Sequence, residues 1–86
     1  MKVVNELGER VEMVGHFRGG SVRPCRFRWG GRVYRVVSVS SSWESRQGAY
    51  RLYHFVVRTH TEDVFEVHLD TAEMYWQLDY EYCDGA

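Results

Sequence analysis

The sequence predicts an all-β protein, a small six-stranded antiparallel barrel or strongly curved sheet. Apolar and polar residues alternate with a period of two along most of the chain, and helical periodicity is almost absent. Aromatic residues make up 15% of the chain and fall mostly within the alternating runs, as strands prefer. Glycines stand between these runs. Short strands with tight hairpins favour an SH3-like roll first and an OB-type barrel second.

The first three strands are expected at residues 9–17, 24–29 and 32–43. Gly30 and Gly31 form a two-residue turn of the kind that needs positive φ at both positions. That turn places Phe27 opposite Tyr34. After Val36 the apolar positions change parity, which indicates a bulge or sharp bend in the third strand.

The other three strands are expected at residues 50–59, 64–70 and 74–82. A turn near residues 60–63 joins the first two of them into a hairpin. The alternation is satisfied when Phe55 lies opposite Leu69 on the inner face. The same register places His54 opposite Asp70 on the outer face.

A single core should form from the apolar side chains that share one parity across the three hairpins. These side chains are Phe27, Trp29, Tyr34, Val36, Phe55, Val57, Phe65, Val67, Leu69, Trp76 and Leu78. The 86 residues suffice for one domain over residues 1–86, with residues 1–8 as a loose N-terminal segment.

The composition also limits the class of protein. The chain has no apolar run long enough to span a bilayer and no apolar signal core near its start, so we expect a cytoplasmic bacterial protein without a membrane partner. Cys25 and Cys83 are too few for a disulfide framework and match no zinc signature. We expect two reduced thiols, with Cys25 buried; a disulfide between them is the alternative and needs an oxidising compartment.

Charge is divided unevenly along the chain, although the net charge is only −1. All 11 basic residues lie between Lys2 and Arg58, and the chain from residue 59 onwards has eight acids with no lysine or arginine. Such asymmetry is typical of a polyanion-binding face or an acidic partner face. The alternative is that strands from the two parts are neighbours and that their charges cancel within the fold.

Five arginines carry the functional prediction, namely Arg18, Arg23, Arg26, Arg28 and Arg35. The Gly30-Gly31 turn places Arg26 opposite Arg35, and like charges in opposed positions destabilise a sheet. Either carboxylates such as Asp79 and Glu81 offset them, or an external anion does, with nucleic-acid phosphate as the candidate. Trp43 and Tyr53 are candidates for stacking on bases.

A second hypothesis is a protein–protein interaction module. Exposed sheet edges favour strand addition, either by a second copy of the chain or by a partner peptide. Trp43, Tyr75, Tyr80 and Tyr82 provide more aromatic surface than a small core needs, and interfaces favour such residues. A homodimer in which the acidic C-terminal part meets the basic hairpin is one form of this hypothesis.

The sequence contains no arrangement typical of catalysis, so we expect no enzyme activity and no cofactor. The best candidates for metal ligands are His54, His68 and Asp70, which the expected register places on one face of a hairpin. The alternative is that they are polar residues on the solvated face of a half-buried hairpin, and no metal is expected.

The spacing P-x-x-F-x-W-x-G-x-x-Y-x-V in residues 24–36 is followed by Trp43, by the run F-E-V-H-L-D in residues 65–70, and by W-Q-L in residues 76–78. Over residues 24–78 this pattern resembles a family of small, uncharacterised bacterial β domains. The shared residues are mostly core aromatics and turn glycines, so the resemblance implies a fold rather than a reaction. Some members are associated with the genomic surroundings of error-prone DNA polymerases, which implies a role near nucleic acid.

Overall fold

The computed structural model describes residues 2–84, and the side chains of residues 3–83. Six antiparallel strands form a closed barrel in chain order: β1 (Lys2–Arg18), β2 (Ser21–Trp29), β3 (Arg32–Gln47), β4 (Tyr50–Thr59), β5 (Val64–Asp70) and β6 (Tyr75–Asp84). The predicted all-β class and six-stranded barrel are confirmed. The consecutive order is that of an up-and-down barrel and differs from the Greek-key order of an OB-type barrel. None of the described residues forms a helix long and apolar enough to cross a bilayer.

β1 closes the barrel because its two halves pair with different strands. Its first half pairs with β6, from Lys2 opposite Asp84 to Val11 opposite Trp76. Its second half, from Glu12 to Arg18, pairs with β2. Residues 2–8, expected to be a loose segment, are therefore part of β1, because β6 is long enough to provide pairing partners for them. Residue 1 of that segment lies outside the described residues.

The β2–β3 hairpin has the register that the sequence predicts. Phe27 lies opposite Tyr34, and Gly30 and Gly31 have φ values of 60° and 74°. The two glycines therefore adopt the left-handed conformation that a two-residue turn of this kind requires. The predicted irregularity after Val36 is also present, as a register shift in the β3–β4 ladder.

The β4–β5 hairpin differs from the predicted register by two residues. Phe55 lies opposite Val67, and His54 lies opposite His68 rather than Asp70. The strands have the predicted bounds, but the turn is centred one residue earlier than the predicted register requires: the Thr59 N–H donates to the Asp63 carbonyl at 2.9 Å, and Glu62 has a φ of 65°. A shift of two residues keeps every side chain on its own face, so the alternation of residue types fits both registers equally well.

The core lies inside the barrel and contains most of the predicted side chains. Nine of them are buried, namely Phe27, Tyr34, Phe55, Val57, Phe65, Val67, Leu69, Trp76 and Leu78. The two other predicted members, Trp29 and Val36, are partly buried and pack against this cluster. Phe65 lies at its aromatic centre, with ring centroids 5.3 Å from Phe27 and 5.4 Å from Tyr34.

Candidate functional site

The outer face of β1, β2 and β3 carries the five arginines that the sequence singles out. Phe27 and Tyr34 point into the core, so their neighbours along the strands point outward. The exposed arginines on this surface, here called the arginine face, are Arg18, Arg23, Arg26, Arg28 and Arg35. Arg26 and Arg35 lie directly opposite each other, as predicted.

A bulge in β2 brings Arg23 to the arginine face. Val14 pairs with Arg26 and Gly15 pairs with Pro24, so Cys25 is an extra residue on β2. In a regular strand, a residue three positions before the outward-pointing Arg26 would point into the barrel. The extra residue Cys25 reverses this alternation, so Arg23 points outward. Pro24 has no N–H to donate and is tolerated at such a position.

The same bulge explains the environment of Cys25. Sequence alternation predicts a buried thiol, but the side chain is only half-buried because an unpaired bulge residue need not point fully into the core. No disulfide bond joins Cys25 to Cys83.

Most of the charge on the arginine face lacks a carboxylate partner. Arg28 Nε lies 3.9 Å from Glu12 Oε2, and both side chains are exposed, so this contact is weak. Within residues 3–83, Arg18, Arg23, Arg26 and Arg35 form no ion pair within 4.0 Å. The fold therefore leaves at least four guanidinium groups available to an external anion.

The acids considered as internal partners of the arginines lie elsewhere. Asp79 Oδ2 is 2.7 Å from His68 Nδ1, and Glu81 Oε1 accepts a hydrogen bond from Asn5 at 3.3 Å. Both acids belong to β6, which pairs with β5 and with the first half of β1. The arginine face instead uses the second half of β1, so the basic and acidic strands are separated around the barrel.

The turn between β4 and β5 holds the backbone of Arg35 in place. The Arg35 N–H donates to His60 Nδ1 at 3.1 Å, and the His60 N–H donates to the Arg35 carbonyl at 2.9 Å. These bonds satisfy the backbone of β3 at the point where its ladder with β2 ends. His60 therefore positions an arginine of the site, which the sequence gives no means of predicting because the two residues are distant in the chain.

A groove of about 420 Å³ runs along the arginine face. It is lined by Glu12, Met13, Val14, Arg26, Phe27, Arg28 and Val33. Val14 and Val33 are 50% and 44% exposed and flank the two arginines of β2. The surface therefore combines fixed positive charge with small apolar contacts.

The two aromatic residues considered for base stacking have other partners. The Trp43 ring is stacked on the His54 ring, with centroids 5.2 Å apart and an angle of 2° between the planes. Tyr53 packs against the core. Both lie on β3 and β4, outside the groove of the arginine face.

The three residues considered for a metal site do not meet. Asp70 is buried and caps the turn after β5, where its Oδ1 accepts hydrogen bonds from the backbone N–H groups of Ala72 at 2.8 Å and Glu73 at 3.3 Å. The β4–β5 register instead places His54 beside His68. The corrected register thus separates Asp70 from the two histidines.

Asp79 takes the place beside the histidines. One ligand atom from each of His54, His68 and Asp79 lies within 4.8 Å of the others. Burial is the main cause that lowers the pKa of His54, and the neighbouring His68 lowers it further. The imidazole is therefore neutral at physiological pH. Alternation alone misses this cluster, because it depends on a register shift in β6 next to Asp79.

Comparisons with protein-family models, with curated proteins and with solved structures gave no significant match.

Proposed function

We propose that this protein is a non-catalytic binding module whose arginine face holds the phosphate backbone of nucleic acid. The observation that carries the proposal is the group of five arginines on one outer face, of which only Arg28 lies within 4.0 Å of a carboxylate among the described side chains. Arginine suits phosphate because its planar guanidinium donates two parallel hydrogen bonds to phosphate oxygens. The cytoplasmic location expected from the composition is compatible with this role.

The contacts should go to phosphate rather than to bases. The groove beside the arginines is lined by valines and one carboxylate, and the exposed Trp43 stacks on His54 instead. Sequence-specific recognition requires hydrogen bonds to base edges, and phosphate contacts carry no sequence information. We therefore expect binding of micromolar or weaker affinity with little sequence preference.

The first test is the salt dependence of binding to labelled single-stranded DNA and RNA, measured by fluorescence anisotropy. If all five arginines contact phosphates of a single strand, affinity should fall by about 100-fold between about 50 and about 200 mM salt. Binding that does not change with salt would contradict phosphate recognition.

Charge reversal provides the second test. Arg26→Glu combined with Arg35→Glu should abolish binding while leaving the circular dichroism spectrum and cooperative unfolding intact. The matched control is Arg46→Glu combined with Arg51→Glu, because these arginines are also directly opposite each other, in the β3–β4 ladder. Both double variants change the net charge equally. Equal loss of binding in both double variants would show that binding depends on overall charge. That result would contradict the arginine face as the binding site.

A second candidate function is strand addition by a protein partner or a second copy of the chain. One observation favours it: in the described residues the β2–β3 ladder extends only from Arg26 opposite Arg35 to Trp29 opposite Arg32. The rest of β3 pairs on one side only, with β4, which leaves an edge suited to another strand. Light scattering across salt concentrations separates the two functions, because a dimer built on backbone pairing should persist at high salt.

A further inference from the structure

A cluster of two histidines and one aspartate occupies the outer face of the barrel formed by β4, β5 and β6. His54 and His68 are directly opposite each other, with ring centroids 5.4 Å apart. Asp79 Oδ2 lies 2.7 Å from His68 Nδ1. The ligand atoms of the three residues lie within 4.8 Å of one another.

The backbone of β6 is irregular where it presents Asp79. Glu66 pairs with Tyr80 and Val67 pairs with Leu78, so Asp79 is an extra residue on β6. Bulges of this kind redirect side chains and are common next to functional sites.

His54 has a buried polar atom that the fold does not satisfy. Its Nδ1 is buried and has no hydrogen-bond partner among the described residues, whereas its Nε2 lies 2.7 Å from Ser45 Oγ. An unsatisfied buried nitrogen is costly. If the ring proton is on Nε2, this N–H donates a hydrogen bond to Ser45 Oγ. The lone pair of Nδ1 then remains available to an electrophile. The stacked Trp43 ring holds the imidazole in this orientation.

We propose that His54, His68 and Asp79 bind a divalent transition-metal ion, with Zn²⁺ as the physiological candidate. Two imidazoles and one carboxylate form a ligand set that Zn²⁺ accepts, whereas Mg²⁺ and Ca²⁺ prefer oxygen ligands alone. Tetrahedral zinc requires donor atoms roughly 3.3 Å apart. Binding should therefore replace the 2.7 Å hydrogen bond between His68 Nδ1 and Asp79 Oδ2 with two metal bonds, and should bring the His54 nitrogen to a similar distance from both atoms.

The surroundings supply the supporting contacts that metal ligands usually have. Ser45 orients His54, and Gln77 Nε2 donates to Asp79 Oδ1 at 3.1 Å. A cavity of about 240 Å³ borders the cluster and gives space for a water molecule or another ligand in the fourth position. The site is independent of the arginine face, because none of its three ligands belongs to β1, β2 or β3.

The test uses tag-free full-length protein treated with a chelator and then titrated with Zn²⁺ by calorimetry, and with Co²⁺ by its visible absorption. Wild-type protein should bind one equivalent and should melt at a higher temperature with Zn²⁺. His54→Gln and Asp79→Asn should each lose more affinity than the about 10–100-fold typical of residues that only support a ligand. His16→Gln, which changes an exposed histidine of β1, should bind as wild type does.

Histidine ¹⁵N chemical shifts provide a test that needs no substitution. With Zn²⁺, the ring nitrogens of His54 and His68 should shift, and those of His16 and His60 should not. Absence of stoichiometric binding by the wild type, or unchanged affinity in His54→Gln, would overturn the proposal. Shifts confined to His16 or His60 would also overturn it. Because the arginine face is not involved, a protein that binds metal but no nucleic acid would leave this inference standing while refuting the proposed function.

Discussion

At the scale of single residues, a substitution of Gly31 tests the conformation of the β2–β3 turn, because it changes the cost of the backbone conformation and introduces no new contact. Its φ is 74°, and a Cβ added there would meet no atom within 4 Å. Gly31→Val should therefore cost about 1–2 kcal/mol, the penalty of the left-handed conformation for an ordinary residue. Gly31→Asn should cost less, because asparagine tolerates this conformation. Urea unfolding measures both, and a valine variant as stable as the wild type would contradict the turn.

The ionisation of Asp70 makes the stability of the fold depend on pH in the acid range. Burial raises the pKa of its carboxyl, but hydrogen bonds from the backbone N–H groups of Ala72 and Glu73, together with the Tyr75 hydroxyl and the neighbouring His68, lower the pKa overall. The ionised form is therefore favoured by folding. Its stabilising contribution is complete above the unfolded pKa of about 3.9 and is lost as pH falls through the lower folded pKa.

The corresponding experiment compares Asp70→Asn with the wild type by urea unfolding across this range. The variant should be less stable at neutral pH, and the difference should disappear in acid below the folded pKa. Glu73→Gln is the control, because that exposed carboxylate forms only a surface ion pair with Arg10. A difference for Asp70→Asn that does not change with pH would show that the charge is not what stabilises the turn.

At the scale of the elements, the β2–β3 hairpin carries an energetic cost that phosphate binding, the function proposed above, would offset. Arg26 and Arg35 are opposed, and neither forms an ion pair with a carboxylate of residues 3–83, which destabilises a pair of strands. Arg26→Gln or Arg35→Gln should therefore raise the stability of the unliganded protein by about 0.2–1 kcal/mol. A double-mutant cycle should show a repulsive coupling, and destabilisation by both single changes would contradict this account.

The two hairpins also show which registers a sequence can predict. Gly30 and Gly31 leave one geometry for a two-residue turn, so the β2–β3 register follows from the sequence. The β4–β5 turn has no such marker, and its left-handed residue is Glu62 rather than a glycine. The shared face of Arg26, Arg28 and Arg35 is therefore predictable from the sequence, whereas the places of Arg18 and Arg23 depend on the pairing of β1 with β2. The cluster of His54, His68 and Asp79 is not, because it depends on that register and on a bulge.

At the scale of the whole molecule, a small barrel depends on a few aromatic side chains. Phe65 is fully buried and contacts the rings of Phe27, Trp29 and Tyr34. Phe65→Ala should cost about 3–5 kcal/mol, a large part of the stability of a domain of this size. Thermal and urea unfolding should show this loss, whereas Tyr50→Ala, at a side chain that is 54% exposed, should have little effect. Similar melting of both variants would contradict the core.

The distribution of basic and acidic residues around the barrel is also a property of the whole molecule. The strand that closes the barrel, β1, uses its first half for the acidic β6 and its second half for the basic β2. The arginine face is therefore kept apart from the acids of β6, although Arg10 pairs with Glu73 and the opposite charges nearly cancel in the total of −1. We expect the isolated protein to bind an anion-exchange and a cation-exchange resin at the same near-neutral pH. Binding to neither resin would indicate that the charges are mixed on one surface.

The bulge at Cys25 has a consequence for how related chains are to be sought. In linear order the arginines of β2 read R-x-x-R-x-R, from Arg23 to Arg28. A chain that lacked the residue at position 25 would keep Gly15 opposite Pro24 and Val14 opposite Arg26, and it would read R-x-R-x-R. The two chains would present the same surface under different motifs. A search with fixed spacing would separate them, whereas an alignment that permits a one-residue gap at this point would group them.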